Sequence, residues 1–351
     1  LELIMYQAFL CGSTIVDIDP KGDHALHLLP GVAEHCEIVE LSTEERYRGL
    51  LDPLRIGPPD TREDLAVNFL LSVLPEPIAP EWRTEIRLAV QAVSDRGGRT
   101  CGEVISELKQ GTEPAQAAGR ALGIHAGSGL ARLGVADQGT TVAEAGTSQV
   151  TSLRIRNLTL PLPGTPRAEL LEEERVGRAI LHLLAVYALS LTSRDRRRHS
   201  VLGIDEAWVL LADSAGRSLI DRISRQGRAM NVVPLLATQV IGDAAELEGL
   251  IGAIFCFGVE SEREARAALR LLQLDEDDAE LMQRLLGFRR GRCFLRDYGG
   301  RVSPVQIDLV DDELLAALDT TPDRDGEDGD PAAPETDAPE GDGDAHDRAA
   351  A

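Results

Sequence analysis

Asp205 and Glu206 close the apolar run Val201-Leu202-Gly203-Ile204 and set two adjacent carboxylates where a buried strand would end. Four apolar or small residues in a row suit a strand covered on both faces of a parallel sheet, and such sheets bind ligands beyond the carboxyl ends of their strands. In that setting Asp205 would hold Mg²⁺, directly or through water, and Glu206 would orient and polarise an attacking water. The plainer alternative is a strand that ends in two solvated acids before a helix. A second marker, Ala237-Thr238-Gln239, ends the next apolar run. If the two strands are neighbours, Gln239 could hydrogen-bond a γ-phosphate or the attacking water; otherwise it is a solvated loop residue. Between them stands Ser224-Arg225-Gln226-Gly227-Arg228-Ala229-Met230-Asn231. Arg228 and Arg225 could reach a neighbouring subunit's phosphate, or they could be a charged helix end favoured by the macrodipole. Trp208 reads as a core or interface aromatic rather than a catalytic group.

These residues need strands and helices in alternation, and the pattern supplies them. Leu1, Ile4, Met5, Ala8 and Phe9 have the spacing of an amphipathic helix with Gly12 as its stop. Thr14 to Ile18 and Cys36 to Leu41 read as strands. Residues 60–138 change to helical pieces (Arg62 to Leu74, Glu81 to Ser94, Gly102 to Leu108, Pro114 to Leu122) broken by Pro and Gly turns, which predicts an α-helical insertion. A strand over Leu153 to Leu160 and a long helix over Ala168 to Ser193 follow. The basic loop Arg194 to His199 then leads into the acidic-pair strand. Beyond it come a helix (Ser214 to Met230), a strand (Val232 to Ala237), a helix (Ala244 to Leu250) and a strand (Ala253 to Gly258). Helices over Glu262 to Leu272 and Asp277 to Leu286 precede a hairpin about Gly299-Gly300. The alternation predicts an α/β fold, a doubly wound and mostly parallel sheet flanked by helices.

Composition narrows the class. The chain has 351 residues, 43% of them apolar, enough for a full α/β core. No uninterrupted apolar run reaches the roughly 18 residues that would span a bilayer. Five cysteines without a CxxC pair read as reduced, mostly buried thiols of a cytosolic protein. The net charge of −23 argues against a nonspecific nucleic-acid binder, leaving only a local basic loop or pore to hold DNA. Residues 320–351 carry 11 acids and 2 arginines without an aromatic, so residues 319–351 are expected to form a disordered acidic tail. Lys21 and Lys109 are the only lysines, and neither lies in a GxxxxGK[ST] loop.

Asp-Glu-Ala-Trp after an apolar strand, Arg-Gln-Gly-Arg-Ala-Met-Asn and Ala-Thr-Gln stand in order with the closing stretches Gly291 to Asp297 and Gly300 to Ile307. Together they resemble the motor domain of type IV secretion and conjugation ATPases, in the HerA–FtsK branch of RecA-like P-loop ATPases. The resemblance covers Leu1 to Leu318, including Ile18-Asp19-Pro20-Lys21-Gly22-Asp23. It implies a RecA-like core in residues 1–59 and 139–318, a homo-hexamer, and ATP with Mg²⁺ as cofactors. Asp205 then matches the metal-holding acid, Glu206 the water-activating acid and Gln239 the sensor. Arg228, with Arg292 or Arg296, falls in motifs where such hexamers place arginines between subunits, and Asp19, Lys21, Arg292 and Arg296 are assigned to nucleotide binding. Partners would be channel proteins at the cytoplasmic face of a membrane, with possible DNA contact in the pore and no membrane span of the chain's own. The departure from the family is the phosphate-binding loop, which the resemblance sets just before the Leu1 to Leu10 helix. Its absence reads as a cut upstream of Leu1, and the chain as written is expected not to hydrolyse ATP appreciably. Two alternatives stay open: a non-catalytic assembly module, and a DNA-translocating coupling or segregation ATPase.

Overall fold

The structure, a computed structural model, describes residues 1–318 except 142–144, 163, 213, 245–246, 248 and 310, and except the side chains of 167, 226, 243 and 244. The acidic tail expected over 319–351 lies outside the described residues.

Five strands form one parallel sheet: β1 (Thr14–Ile18), β2 (Cys36–Leu41), β3 (Val150–Ile155), β4 (Ser200–Ile204) and β5 (Val232–Leu236), in the order β2-β3-β1-β4-β5. Alternation along each strand sends side chains to two separate cores. Ile15, Val150 and Val201 pack with Met5 and Tyr6 of α1 (Glu2–Leu10) on one face. Val16, Ile18, Leu153, Leu202 and Ile204 join the larger core on the other. Both faces are covered, as a doubly wound sheet requires.

Between β2 and the long helix that fills the larger core come α2 (Pro53–Ile56), α3 (Arg62–Val73), α4 (Pro80–Asp95) and α5 (Cys101–Leu108). They are followed by α6 (Glu113–His125) and then by α7 (Glu172–Thr192). Local chemistry sets these boundaries. Pro53 and Pro80 stand in first turns, where a missing N–H costs nothing, and the Thr100 and Thr112 side chains accept from Glu103 and Ala115 N–H as N-caps. Glu172, Glu173 and Glu174 favour the positive start of α7. The insertion is not a satellite: Val67, Leu70 and Val104 belong to the same apolar core as Leu153 and Leu181. By length and composition α7 could cross a membrane, although no long uninterrupted apolar run was expected; 72% of its most apolar stretch is buried inside the fold.

After β4 come α8 (Trp208–Leu211) and α9 (Ser214–Met230), which returns antiparallel to the strands, burying Leu219, Ile220 and Ile223. Asn231, with φ of 60°, turns the chain out of α9 and into β5. Two expectations change downstream. The helix expected over Ala244 to Leu250 is the short α10 (Ile241–Ala244), with part of the expected span outside the described residues. The strand at 253–258 does not extend the parallel sheet. As β6 (Ile254–Phe257) it pairs antiparallel with β7 (Arg292–Arg296), which pairs with β8 (Val302–Gln306). Cys256 and Phe294 face Ala265, Leu269 and Leu285 of α11 (Glu262–Leu271) and α12 (Ala279–Leu286), giving this small sheet its own core. A last helix, α13 (Asp312–Leu318), sets Leu314 and Leu318 against the α1 side of the sheet. The strand expected over Leu153 to Leu160 is shifted to Val150–Ile155, because the register with β1 and β2 runs Val150↔Ile15 and Ile155↔Leu41.

Asp52 ties the insertion together. It is fully buried, and its carboxylate accepts from Leu54 N–H (3.0 Å), Cys101 N–H (2.8 Å) and Ala136 N–H (2.9 Å). One side chain thus joins the starts of α2 and α5 to the segment that leads back to the sheet. Burial pushes its carboxyl up to about 7, against the downward pull of the three amides. Of the five cysteines, Cys101, Cys256 and Cys293 are buried, Cys36 is partly covered and Cys11 is exposed.

Candidate active site at the carboxyl edge of the sheet

Register places the candidate residues side by side. Ile18, Ile204 and Leu236 are aligned across β1, β4 and β5, so the residues that follow each strand leave the sheet together. Asp205 N–H donates to Ile18 carbonyl (3.1 Å), Ala237 N–H to Ile204 carbonyl (2.9 Å) and Ala207 N–H to Ala237 carbonyl (2.9 Å). Gln239 follows two residues after Ala237 on the same edge of the sheet and is exposed. The start of α1 is on the same edge, where Glu2 accepts Ala25 N–H at 2.6 Å.

The two acids have different surroundings. Asp205 is partly open to solvent, its side chain 26% exposed, and among the described residues no hydrogen bond reaches its carboxylate. Glu206 is buried, on a backbone with φ of 52°, a conformation that costs a non-glycine residue about 1 kcal/mol or more. That turn sends its side chain inward, where one oxygen pairs with Lys21 Nζ and the other accepts from Trp208 Nε1. Trp208 is buried in the larger core, as its type suggested, and in addition holds the acid by its one polar atom.

The loop after β1 is shaped by Asp19. Its fully buried carboxylate accepts from the N–H groups of Gly22 (2.8 Å), Asp23 (3.0 Å) and His24 (3.0 Å), and Arg154 Nε lies 3.2 Å away. Asp19 thus folds the loop that brings Lys21 to Glu206. The Glu206 carboxylate raises the pKa of Lys21, keeping it charged. His24 was not singled out by sequence, nor was Asp17. His24 Nδ1 lies 2.9 and 3.0 Å from the two oxygens of Asp17, which is fully buried, and its Nε2 lies 3.8 Å from Asp205 Oδ2. Burial alone would lower the imidazole's pKa; the hydrogen bond and charge of Asp17, with Asp19 and Glu2, outweigh it and raise it to about 9. Burial also raises the pKa of Asp17, against the downward pull of the His24 hydrogen bond and charge. The one usable sequence signal was parity: Asp17 lies between two apolar β1 positions on a strand buried on both faces.

The arginines are elsewhere. Ser200 N–H donates to Asn231 carbonyl, so α9 ends at the amino edge of the sheet, a strand length of about 16 Å from Asp205. Arg228 is exposed there, and Arg225 is exposed and paired with Asp221 at 2.8 Å. Arg292 and Arg296 are on β7, with Arg292 Nε bonded to Gln306 and Arg296 bonded to Gln273. None of the four touches Asp205 or Glu206 of its own chain among the described residues. As for cofactors, a partly exposed carboxylate that accepts no hydrogen bond among the described residues fits a hard cation such as Mg²⁺, which takes oxygen ligands and keeps most of its waters.

Residues 1–318 match the model of the AAA-like domain family. The chain belongs to the AAA-like domain family. A curated relative, the uncharacterized protein YddE of Bacillus subtilis (strain 168), is 26% identical over 299 residues. That match takes in 82% of this chain and 35% of the relative, so this chain spans about a third of that protein's length. Among solved structures, VirB4 of Thermoanaerobacter pseudethanolicus superimposes with a TM-score of 0.66 at 16% identity, over 89% of this chain and 86% of that one. The plasmid coupling protein TrwB, in complex with the non-hydrolysable ATP analogue ADPNP, gives 0.50 at 15% identity, over 88% and 81%. The AAA-like domain therefore has the mostly parallel, helix-flanked RecA-like fold of these two proteins.

Proposed function

We propose that this AAA-like domain is the motor portion of a homo-hexameric ATPase that hydrolyses ATP to power assembly of, or transport through, a conjugation or type IV secretion channel. The observation that carries this reading is the meeting of Asp205, Glu206, Lys21 and the Gln239 loop at one sheet edge, beside the start of α1. Asp205, partly open to solvent, would hold the Mg²⁺ that neutralises charge on the transferring phosphoryl group. Glu206 would polarise the attacking water once one of its two present partners lets go. Gln239 would report the γ-phosphate, and Asp19 would keep Lys21 in reach of nucleotide and glutamate alike. Arg228 and Arg225, a strand length from their own Asp205, are suited to act only on a neighbouring subunit. Arg292 and Arg296 are proposed for nucleotide binding from the small sheet. Docking to channel proteins would hold the hexamer at the cytoplasmic face of the membrane. In the full-length protein we expect Mg²⁺-dependent phosphate release from ATP by a particle of six copies, measured by phosphate assay and mass photometry. A monomer that releases no phosphate at any Mg²⁺ concentration would leave only the non-catalytic assembly role.

A second reading, a DNA-translocating relative, is favoured by one feature. Arg194, Arg196, Arg197 and Arg198 are exposed at the amino edge, where the Asn231 side chain at the end of α9 donates to Arg196 carbonyl. Arg228 adds a further cation at that end. Duplex binding that weakens steeply with salt, and weakens again in an R196A/R197A/R198A variant, is what this reading expects. Binding that ignores the triple substitution would remove its support.

A further inference from the structure

We propose that His24 is a positioning residue for Asp205, holding that carboxylate in place from the buried Asp17. The inference rests on the reading of Asp205 as the cation-holding acid. Asp17, Gly203 and Asp205 share one face of the sheet, since Asp17 is aligned with Gly203 and side chains alternate along β4. Gly203 leaves the space this arrangement needs: a Cβ there would lie 2.5 Å from Met5 Sδ and 3.2 Å from Asp17 Oδ1.

The His24 ring bridges the two acids on that face. Its Nδ1 donates to Asp17, which sets the orientation of the ring and turns Nε2 toward Asp205 Oδ2, 3.8 Å away. The backbone of His24 is held on both sides, its N–H by Asp19 and its carbonyl by Arg154 Nη2. Ala25, next in the chain, is anchored to Glu2. A ring so confined limits where Asp205 can swing. Fixing a cation-holding carboxylate in this way strengthens its grip, and losing such a partner typically weakens metal affinity about 10- to 100-fold.

Two substitutions separate positioning from simple loop bracing, because Asn places its amide near the former Nδ1 and Gln near the former Nε2. The probe is Mn²⁺ titrated into the full-length protein with ADP and followed by electron paramagnetic resonance, beside the thermal midpoint. His24→Asn keeps the Asp17 bond and is expected to weaken Mn²⁺ about tenfold with little change in midpoint. His24→Gln is expected to hold Mn²⁺ within about threefold of wild type at a lower midpoint. Unchanged or tighter Mn²⁺ binding in H24N, or an equal loss in H24Q, overturns the proposal; if H24N does not fold, H24Q alone decides. Asp205→Asn is the control: if it leaves Mn²⁺ affinity intact, the underlying assignment of Asp205 fails with the proposal. If only H24N is silent, the positioning role fails alone.

Discussion

Glu206→Gln in the full-length protein is expected to lower the turnover of ATP by about 10²- to 10⁴-fold while leaving nucleotide affinity within a few-fold of wild type. The amide keeps an oxygen for Trp208 Nε1 and the volume of the original, so the packing around the site survives. What is lost is the negative charge that polarises water. Lys21, half exposed, loses its partner and can turn to solvent. The measurement is steady-state phosphate release with a parallel ADP titration. A kcat within tenfold of wild type would mean that another group orients the water. A joint loss of kcat and nucleotide binding would point to collapse of the Lys21 loop.

Asp52→Ala should be the most damaging change outside the site. Three buried N–H groups lose their acceptor, each costing roughly 1–3 kcal/mol when unsatisfied, and local relaxation recovers part. A net loss of about 3–5 kcal/mol at pH 5.5 is expected from urea denaturation. The sign with pH follows from the direction of the shift. Asp52 titrates near 3.8 when unfolded and at about 7 when folded, so its contribution is full below the lower value and is lost as pH rises through the upper one. The penalty for alanine should therefore shrink by about 2 kcal/mol between pH 5.5 and 8.5. An equal penalty at both pH values would show that the three amides hold the carboxyl near its ordinary range. Because the Asp52 hydrogen bonds go to Leu54, Cys101 and Ala136 and not to the acid pair or Lys21, ADP affinity of whatever variant stays folded should be unchanged.

The contrast between these two residues shows how much could be read without a structure. Asp205, Glu206 and Gln239 were legible because an apolar strand followed by acids, and the next strand followed by Gln, are local patterns, and parallel neighbours bring consecutive strand ends together. The helical insertion was legible from its caps, prolines and 3.6-residue spacing. Asp52 carried no such mark. A single Asp before Pro reads as an N-cap, and nothing nearby says that Cys101 and Ala136 will use its second oxygen from 49 and 84 residues away. The small antiparallel sheet was missed in part for a similar reason. β6 has the apolar run of a parallel strand, and only the return of the hairpin 35 residues later decides its partner.

By itself the sequence determined the elements, the alternation that buries both faces of the main sheet, the acid pair at a strand end and the family to which the chain belongs. These follow from short-range physics: side-chain period, capping, and the cost of burying unpaired charge. Tertiary structure alone decided that β1 lies beside β4, which sets Asp17, Gly203 and Asp205 on one face and folds the Asp19 loop over them. It also sent Glu206 inward to Lys21 and Trp208, and put Arg228 at the far edge from its own chain's acids. Strands with alternating apolar faces can pair in several orders at similar local energy. The order that wins is set by packing summed over the whole core, which no window of sequence contains.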